Sequence, residues 1–255
     1  MPLSLVAVPI GNPGDITLRA LKVLRSADIV IGEERREVSK LLKALGVENK
    51  PIELLNEHSS ENDVSRLLDL VRTNNIALVS DCGTPGFCDP GAKLVAACRK
   101  KGLAVIPIPG ASSLMCLLSI AGKDLSEFLF RGFLPAEKEA RTAALKELDR
   151  EYRPFILMDT PYRMNRLLEE LAAHWPDRTA VLGCDFTQET ETIIEAKLKD
   201  LPAKVGSRKA EFIIAVFPGE EKQDSPVRRM KRFNKRVSNA GYSESRRPYR
   251  KGRGR

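Results

Sequence analysis

Aromatic residues are scarce in this chain: nine Phe, four Tyr and a single Trp among 255 residues. Aliphatic side chains therefore have to form most of the core, and the short Val/Ile/Leu-rich runs suit the buried strands of a parallel sheet. No run approaches the roughly 18 to 20 uninterrupted apolar residues of a spanning helix, which excludes a helical membrane protein. The first residues, Met1 to Pro9, lack a basic region and lead into Gly11-Asn12-Pro13-Gly14-Asp15 instead of a small-residue cleavage site. They read as a first strand and not as a signal. The five cysteines, Cys82, Cys88, Cys98, Cys116 and Cys184, are odd in number and never spaced C-x-x-C, and only His58 and His174 accompany them. Neither a disulfide framework nor a metal site is expected, and a reducing cytoplasm is the default compartment.

What the chain does have is a soluble globular composition, 42% hydrophobic and 30% charged, with enough apolar material for one large core or two modest ones. Its charge is unevenly spread. From Glu221 onward thirteen Lys and Arg face three acidic residues, a balance of +10 that leaves residues 1–220 at −2 of the overall +8. Apolar residues nearly vanish beyond Pro218-Gly219, so the tail cannot bury enough surface to offset its ordering entropy and is expected to be disordered when free.

Up to about residue 121 short aliphatic runs alternate with helical patterns. Strands are expected at Leu3–Val8, Asp28–Ile31, Ile76–Ser80 and Ala104–Ile108, and helices at Ile16–Arg25, Arg36–Leu45, Glu61–Arg72, Gly91–Lys101 and Ser112–Ala121. Such alternation implies right-handed crossovers and a parallel sheet with helices on both faces, an α/β class. The pattern then restarts less regularly, with strands at Phe128–Phe133, Phe155–Met158, Thr179–Leu182, Thr192–Ala196 and Phe212–Phe217 and helices at Glu137–Arg150 and Tyr162–His174. A short link with Pro202 and Gly206 separates the last two strands, which favours their antiparallel pairing and a mixed sheet. The expected organisation is an N-terminal α/β domain over 1–110, a C-terminal α/β domain over 111–219 and a basic tail over 220–255.

Three Gly/Pro-rich segments follow strands of the first half. The first, Val8-Pro9-Ile10-Gly11-Asn12-Pro13-Gly14-Asp15, lacks the glycines and lysine of the dinucleotide and triphosphate fingerprints, and as a bare turn would use Asp15 as a helix cap. The second, Ser80 to Gly91, is a long excursion at the carboxyl end of a strand, where open α/β sheets bind ligands. The third, Pro107 to Ser113, brings a helix N-terminus and two hydroxyls to the same edge.

These segments, with Phe130-Arg131-Gly132-Phe133-Leu134-Pro135 and in this order and spacing, closely resemble the tetrapyrrole-methylase superfamily. Within it the chain is most similar to the bacterial small-subunit ribosomal RNA 2′-O-ribose methyltransferase I subfamily, over about residues 3–217. The resemblance implies a two-domain homodimer that folds S-adenosylmethionine into the cleft between its domains. It further implies cofactor contacts from Asn12, Ser80, Asp81, Cys82, Gly83, Thr84, Ser112, Ser113 and Met158. The subfamily's usual Glu-Asp-Thr-Arg is Glu33-Glu34-Arg35-Arg36 here, its Ser-Pro-His-Arg is Thr160-Pro161-Tyr162-Arg163, and its Arg-Glu-Leu-Thr-Lys is Cys184-Asp185-Phe186-Thr187-Gln188.

Glu33 or Glu34 at the active edge is a candidate to accept the 2′-hydroxyl proton, with helix-terminal carboxylates as the alternative. Arg36 is a candidate acceptor or phosphate contact, against a solvated helix face. His58 matches a Glu-His pair of the subfamily and is weighed as an RNA contact against a loop hydrogen bond, whereas His174 reads as structural. The tail, with Arg228, Arg229, Lys231 and Arg232 and rings at Phe233, Tyr242 and Tyr249, combines phosphate-neutralising charge with surfaces for unpaired bases. The leading expectation is S-adenosylmethionine-dependent 2′-O-methylation of small-subunit (16S) ribosomal RNA by a cytoplasmic homodimer. The alternatives are another acceptor, such as a tetrapyrrole, or a noncatalytic RNA-binding assembly factor.

Overall fold

The computed structural model describes residues 2–47, 49–123 and 125–219. The basic tail lies outside the described residues, and with it Arg228, Arg229, Lys231 and Arg232. Two five-stranded sheets follow one another along the chain. The first comprises β1 (Leu3–Val6), β2 (Ile29–Gly32), β3 (Ile52–Leu54), β4 (Ile76–Leu78) and β5 (Val105–Ile108) in the order β3-β2-β4-β1-β5. Every neighbouring pair in it is parallel.

Alternation along the strands sends successive side chains to opposite faces. Ala77 and Val79 join Val6 and Val30 on one face, where α1 (Leu18–Ser26) and α2 (Arg35–Ala44) bury Ala20, Leu24, Val38 and Leu42. Ile76 and Leu78 join Leu3 and Ile31 on the other, under Leu67 and Val71 of α3 (Glu61–Thr73) and Leu94 and Cys98 of α4 (Gly91–Lys100). The i, i+4 spacing on each helix makes this two-sided burial possible, and each fully buried aliphatic side chain contributes roughly 1.5–3 kcal/mol. Helix starts are set by short polar side chains: Thr17 Oγ1 accepts from the Ala20 amide at 3.1 Å, and Ser60 and Asp63 form a reciprocal capping box. Asp15 does not cap the first helix as expected. It ends a 3₁₀ turn opened by Asn12, which accepts from the Gly14 amide, and the chain reaches α1 only after Thr17.

The second sheet comprises β6 (Leu129–Phe133), β7 (Phe155–Asp159), β8 (Thr179–Cys184), β9 (Thr192–Lys197) and β10 (Phe212–Val216) in the order β6-β7-β10-β8-β9. It is mixed, with β6 parallel to β7 and all other pairs antiparallel. The expected pairing of the last two strands is not what forms. β9 makes its hairpin with β8, and β10 inserts between β7 and β8, so β9 and β10 point the same way with β8 between them. Their link holds a 3₁₀ turn and α8 (Leu201–Val205), which makes it a crossover and not a hairpin loop.

One face of this sheet is covered by α6 (Lys138–Leu148), α7 (Met164–His174) and α8. The other receives Leu117 and Ala121 of α5 (Ser113–Ile120) and its cap. Thus α5 begins at the end of the last strand of one sheet and packs on the next sheet, which carries the chain from the first domain into the second. Among the described residues no helix is long and apolar enough to cross a membrane.

Candidate functional site

The carboxyl ends of four adjacent strands, β2, β4, β1 and β5, open on one edge of the first sheet. The turns that leave them are tied together through their backbones. Beyond β1, Val8 and Gly83 exchange a pair of hydrogen bonds at 2.8 and 3.2 Å, so the first and second turns form a short antiparallel bridge. Thr84 Oγ1 donates to the Ala111 carbonyl at 3.2 Å and joins the second turn to the third. Ser80 is buried, its hydroxyl donating at 3.0 Å to the Cys82 carbonyl inside the turn. Gly83 has φ +75°, a region open to glycine, and a Cβ there would lie 3.3 Å from Ile10 Cγ2. Ser112 caps α5, its hydroxyl accepting from the Met115 amide.

Carboxylates collect at this edge. Glu33, half-buried at the end of β2, lies near the backbone of Asp81, and Asp81 lies near the backbone of Glu34, each backbone favouring the ionised carboxylate. The β2 end and the second turn therefore lie against one another, and the Val79 amide donates to the Ile31 carbonyl at 2.9 Å just before them. Burial, together with the charges of Asp81, Asp89 and Glu57, pushes the Glu33 carboxyl up to about 6, and burial with Glu34 and Glu37 raises Asp81 as well. Such a carboxyl is ionised at neutral pH yet close enough to 7 to take a proton.

The second sheet supplies the facing wall. Asp159, Phe212 and Cys184 stand side by side at one end of β7, β10 and β8. The loop after Cys184 carries two non-glycine residues in the left-handed region, Asp185 at φ +48° and Thr187 at φ +66°. Arg208 donates to Asp185 Oδ2 at 2.6 Å and to Thr192 Oγ1 at 2.7 Å, and Glu191 accepts from the Thr187 amide at 2.7 Å. So held, Thr187 Oγ1 accepts from the Asn12 amide at 2.9 Å, across the two domains. Gly11 is seated against the same loop: a Cβ on it would come within 2.6 Å of the Phe186 carbonyl oxygen. Cys82 lies near Glu211, which precedes β10; its thiol is raised by burial and by that charge. Burial also raises Glu211, with Asp185 adding to the shift. Ile10, Leu114 and Met158 share the apolar cluster between the two halves, and the rings of Phe87 and Phe130 meet at 4.7 Å.

A cleft between an open parallel sheet and a mixed sheet, walled by three bridged Gly/Pro turns, agrees with what comparison with known proteins gives. The family model for tetrapyrrole (corrin/porphyrin) methylases matches residues 2–202. The chain belongs to the tetrapyrrole methylase family. Methylases of this family use S-adenosylmethionine, and the chain is a methyltransferase that depends on that cofactor. A protein of Neisseria meningitidis serogroup B named ribosomal RNA small subunit methyltransferase I is 34% identical over 226 residues, 87% of this chain and 77% of the relative. One of the same name from Escherichia coli O157:H7 is 38% identical over 220 residues, 84% of this chain and 77% of the relative. Among solved structures, a diphthine synthase superposes with a TM-score of 0.69 at 18% identity, covering 86% of this chain and 90% of the other. A uroporphyrin-III C-methyltransferase from Thermus thermophilus gives 0.58 at 19% identity, covering 85% and 94%. Both share the tetrapyrrole methylase fold.

In this tetrapyrrole methylase the structure brings Asn12, Ser80 to Thr84, Ser112 and Ser113 to one edge, with Met158 on the opposing sheet in the same apolar cluster as Ile10. Ser80 and the Asn12 side chain are engaged inside their own turns, whereas Asp81, Cys82 and Thr84 keep part of their surface open, although the surrounding walls desolvate the ionisable ends of Asp81 and Cys82. Arg36 is exposed in the first turn of α2. His58 is exposed beside Glu57, 3.5 Å away, on the loop after β3. Sequence reasoning did not single out Thr187, Arg208 or Glu211. Thr187 had a signal in its matching segment, but Arg208 and Glu211 reach the cleft only because β10 inserts beside β8.

Proposed function

We propose that this methyltransferase acts on the ribose 2′-hydroxyl of small-subunit ribosomal RNA, in the cytoplasm and as a homodimer, with domains over 1–110 and 111–219. The observation that carries the reading is the set of three bridged turns at the strand ends, with the Glu33 carboxyl beside the second and the Thr187 loop of the second sheet bonded to the first. The names of the relatives favour ribosomal RNA over a tetrapyrrole, and the polycationic tail agrees with them.

The donor set suits S-adenosylmethionine. Glycine at position 83 permits the tight turn and its bridge to Val8, Ser112, Ser113, Thr84 and the backbone of Asp81 and Cys82 offer polar partners, and Met158 and Ile10, members of one apolar cluster, offer an apolar flank. Asn12 holds the first turn in place, and Ser80 the second. The carboxylates of Glu33, Asp81 and Glu211 suit a positive centre. When bound, the cofactor supplies a methyl group already activated by its sulfonium. The protein's share is then alignment by rigid turns, which the Val8–Gly83 bridge and the Thr84–Ala111 hydrogen bond provide. Glu33 accepts the hydroxyl proton, with Glu34 beside it at the α2 start, and Arg36 and His58 meet phosphate at the rim. Arg228, Arg229, Lys231 and Arg232 add sequence-independent attraction to RNA.

The test is transfer of isotopically labelled methyl groups from S-adenosylmethionine to purified small ribosomal subunits or their RNA, against a tetrapyrrole acceptor. Label in RNA that resists alkaline hydrolysis at one nucleotide is expected, because a 2′-O-methyl group blocks cleavage there. Label entering only the tetrapyrrole overturns the assignment.

A further inference from the structure

Beyond the cleft, one exposed ring stands on the rim without a role in cofactor binding. Tyr162 follows Asp159 at the end of β7, in the 3₁₀ turn Pro161–Arg163, and is 81% exposed. Lys209, in the segment entering β10, holds its Nζ 4.9 Å from the Tyr162 ring centroid. The pairing of Phe212 with Asp159 explains the meeting, since it brings the chain just after β7 beside the chain just before β10. Arg163 is half-exposed next to Tyr162, with Nη1 3.7 Å from Asp159 Oδ1.

The support behind this ring is rigid. Asp159 is buried and bound by Arg141, itself 2% exposed, at 3.2 Å; it also accepts from the Thr160 amide at 2.9 Å. The front is open and cationic. Glu211, whose charge bears on Cys82 from the second sheet, is only two residues from Lys209, so the Lys209 backbone lies within about 7 Å of the Glu211 backbone and the ring belongs to the same end of the sheet.

A tyrosine this exposed buries little of its own apolar surface on folding, so a fixed backbone behind it and a cation on one face suit it to binding. A ring with a lysine at one face and an arginine at its side matches an unpaired nucleobase with its phosphates: the free face stacks, and the two cations neutralise the backbone. From this juxtaposition we infer that Tyr162, Lys209 and Arg163 form a nucleotide platform that takes a base of the RNA flanking the modified ribose. The inference rests on the RNA reading above and deepens it.

The experiment uses the full chain and a short fluorescein-labelled single-stranded RNA, read by anisotropy over a salt series, with S-adenosylmethionine affinity measured in parallel by calorimetry. Tyr162→Ala is expected to weaken RNA binding roughly 5- to 150-fold, the worth of one base–ring stack, with Tyr162→Phe close to wild type. Lys209→Ala is expected to flatten the slope of log K against log salt by about 0.7, one neutralised phosphate on a single strand. Cofactor affinity and thermal midpoint stay unchanged in all three, since the side chains are on the surface. A wild-type chain that binds RNA while Tyr162→Ala binds it equally well overturns the platform alone. A wild-type chain that binds no RNA overturns both the platform and the RNA reading.

Discussion

Glu33 illustrates how a single residue at a strand end acquires chemistry. Its carboxyl stands at about 6 because β2 delivers it into a half-buried corner already occupied by Asp81 and Asp89, and the lowering influence of the Asp81 backbone does not offset them. Two consequences follow from the sign of that shift. The native state holds this proton more tightly than the unfolded chain, so its contribution to stability is full below about 4.5 and lost as pH rises through about 6. Glu33→Gln is therefore expected to raise the thermal midpoint modestly at pH 7 to 8, with the gain vanishing toward pH 4.5. As a base, Glu33 has to be ionised, so methyl transfer by the wild type should fall as pH drops through about 6, and Glu33→Gln should lower the rate at neutral pH and lose that acid limb. A pH–rate profile with label transfer measures both. Arg141 is the opposite case, a buried charge that serves the fold. It donates to Asp159, to Glu170 and to the Pro135 carbonyl at once. Arg141→Ala leaves Asp159 without its buried cation, only the half-exposed Arg163 remaining at 3.7 Å, and should cost about 3–5 kcal/mol in denaturant unfolding.

The turn is the working element. A side chain at Gly83 meets two obstacles, the left-handed φ and Ile10, so Gly83→Val is expected to abolish S-adenosylmethionine binding in calorimetry while far-ultraviolet circular dichroism stays native. Elements of this kind are legible in the amino-acid order because their signals are local: Gly/Pro clusters after aliphatic runs, caps before periodic ones. The two-sided first sheet is legible for the same reason, since α1 to α4 each carry a clear apolar stripe. What escapes is set by distant partners. β3 is three half-buried residues at a sheet edge, too short to stand out. β10 pairs with β7 and β8, which lie far earlier in the chain than its neighbour β9, and no local pattern announces that choice. The Arg208–Asp185 pair that steadies the Thr187 loop spans 23 residues and depends wholly on that strand order.

On the scale of the whole molecule, the sequence divides into a near-neutral body and a strongly cationic tail. The body holds the three turns and both sheets, so S-adenosylmethionine affinity should be unchanged when residues 221–255 are deleted. RNA affinity should fall, and the dependence of log K on log salt should flatten by roughly 0.7 to 0.9 for each phosphate the tail no longer neutralises. The change should correspond to several phosphates and not to all thirteen cations, because a segment that orders on binding gives up part of its gain. An unchanged slope would remove the tail from RNA recognition and leave that task to the body's own rim, where Tyr162, Lys209 and Arg163 stand. The central claim, that the molecule methylates a ribose of small-subunit ribosomal RNA, is tested most directly by mass-spectrometric mapping of that RNA from cells with and without the gene. The account predicts one nucleotide that carries a 2′-O-methyl group in the first and lacks it in the second, restored by the wild-type protein but not by Gly83→Val. Identical methylation maps from the two strains would contradict it.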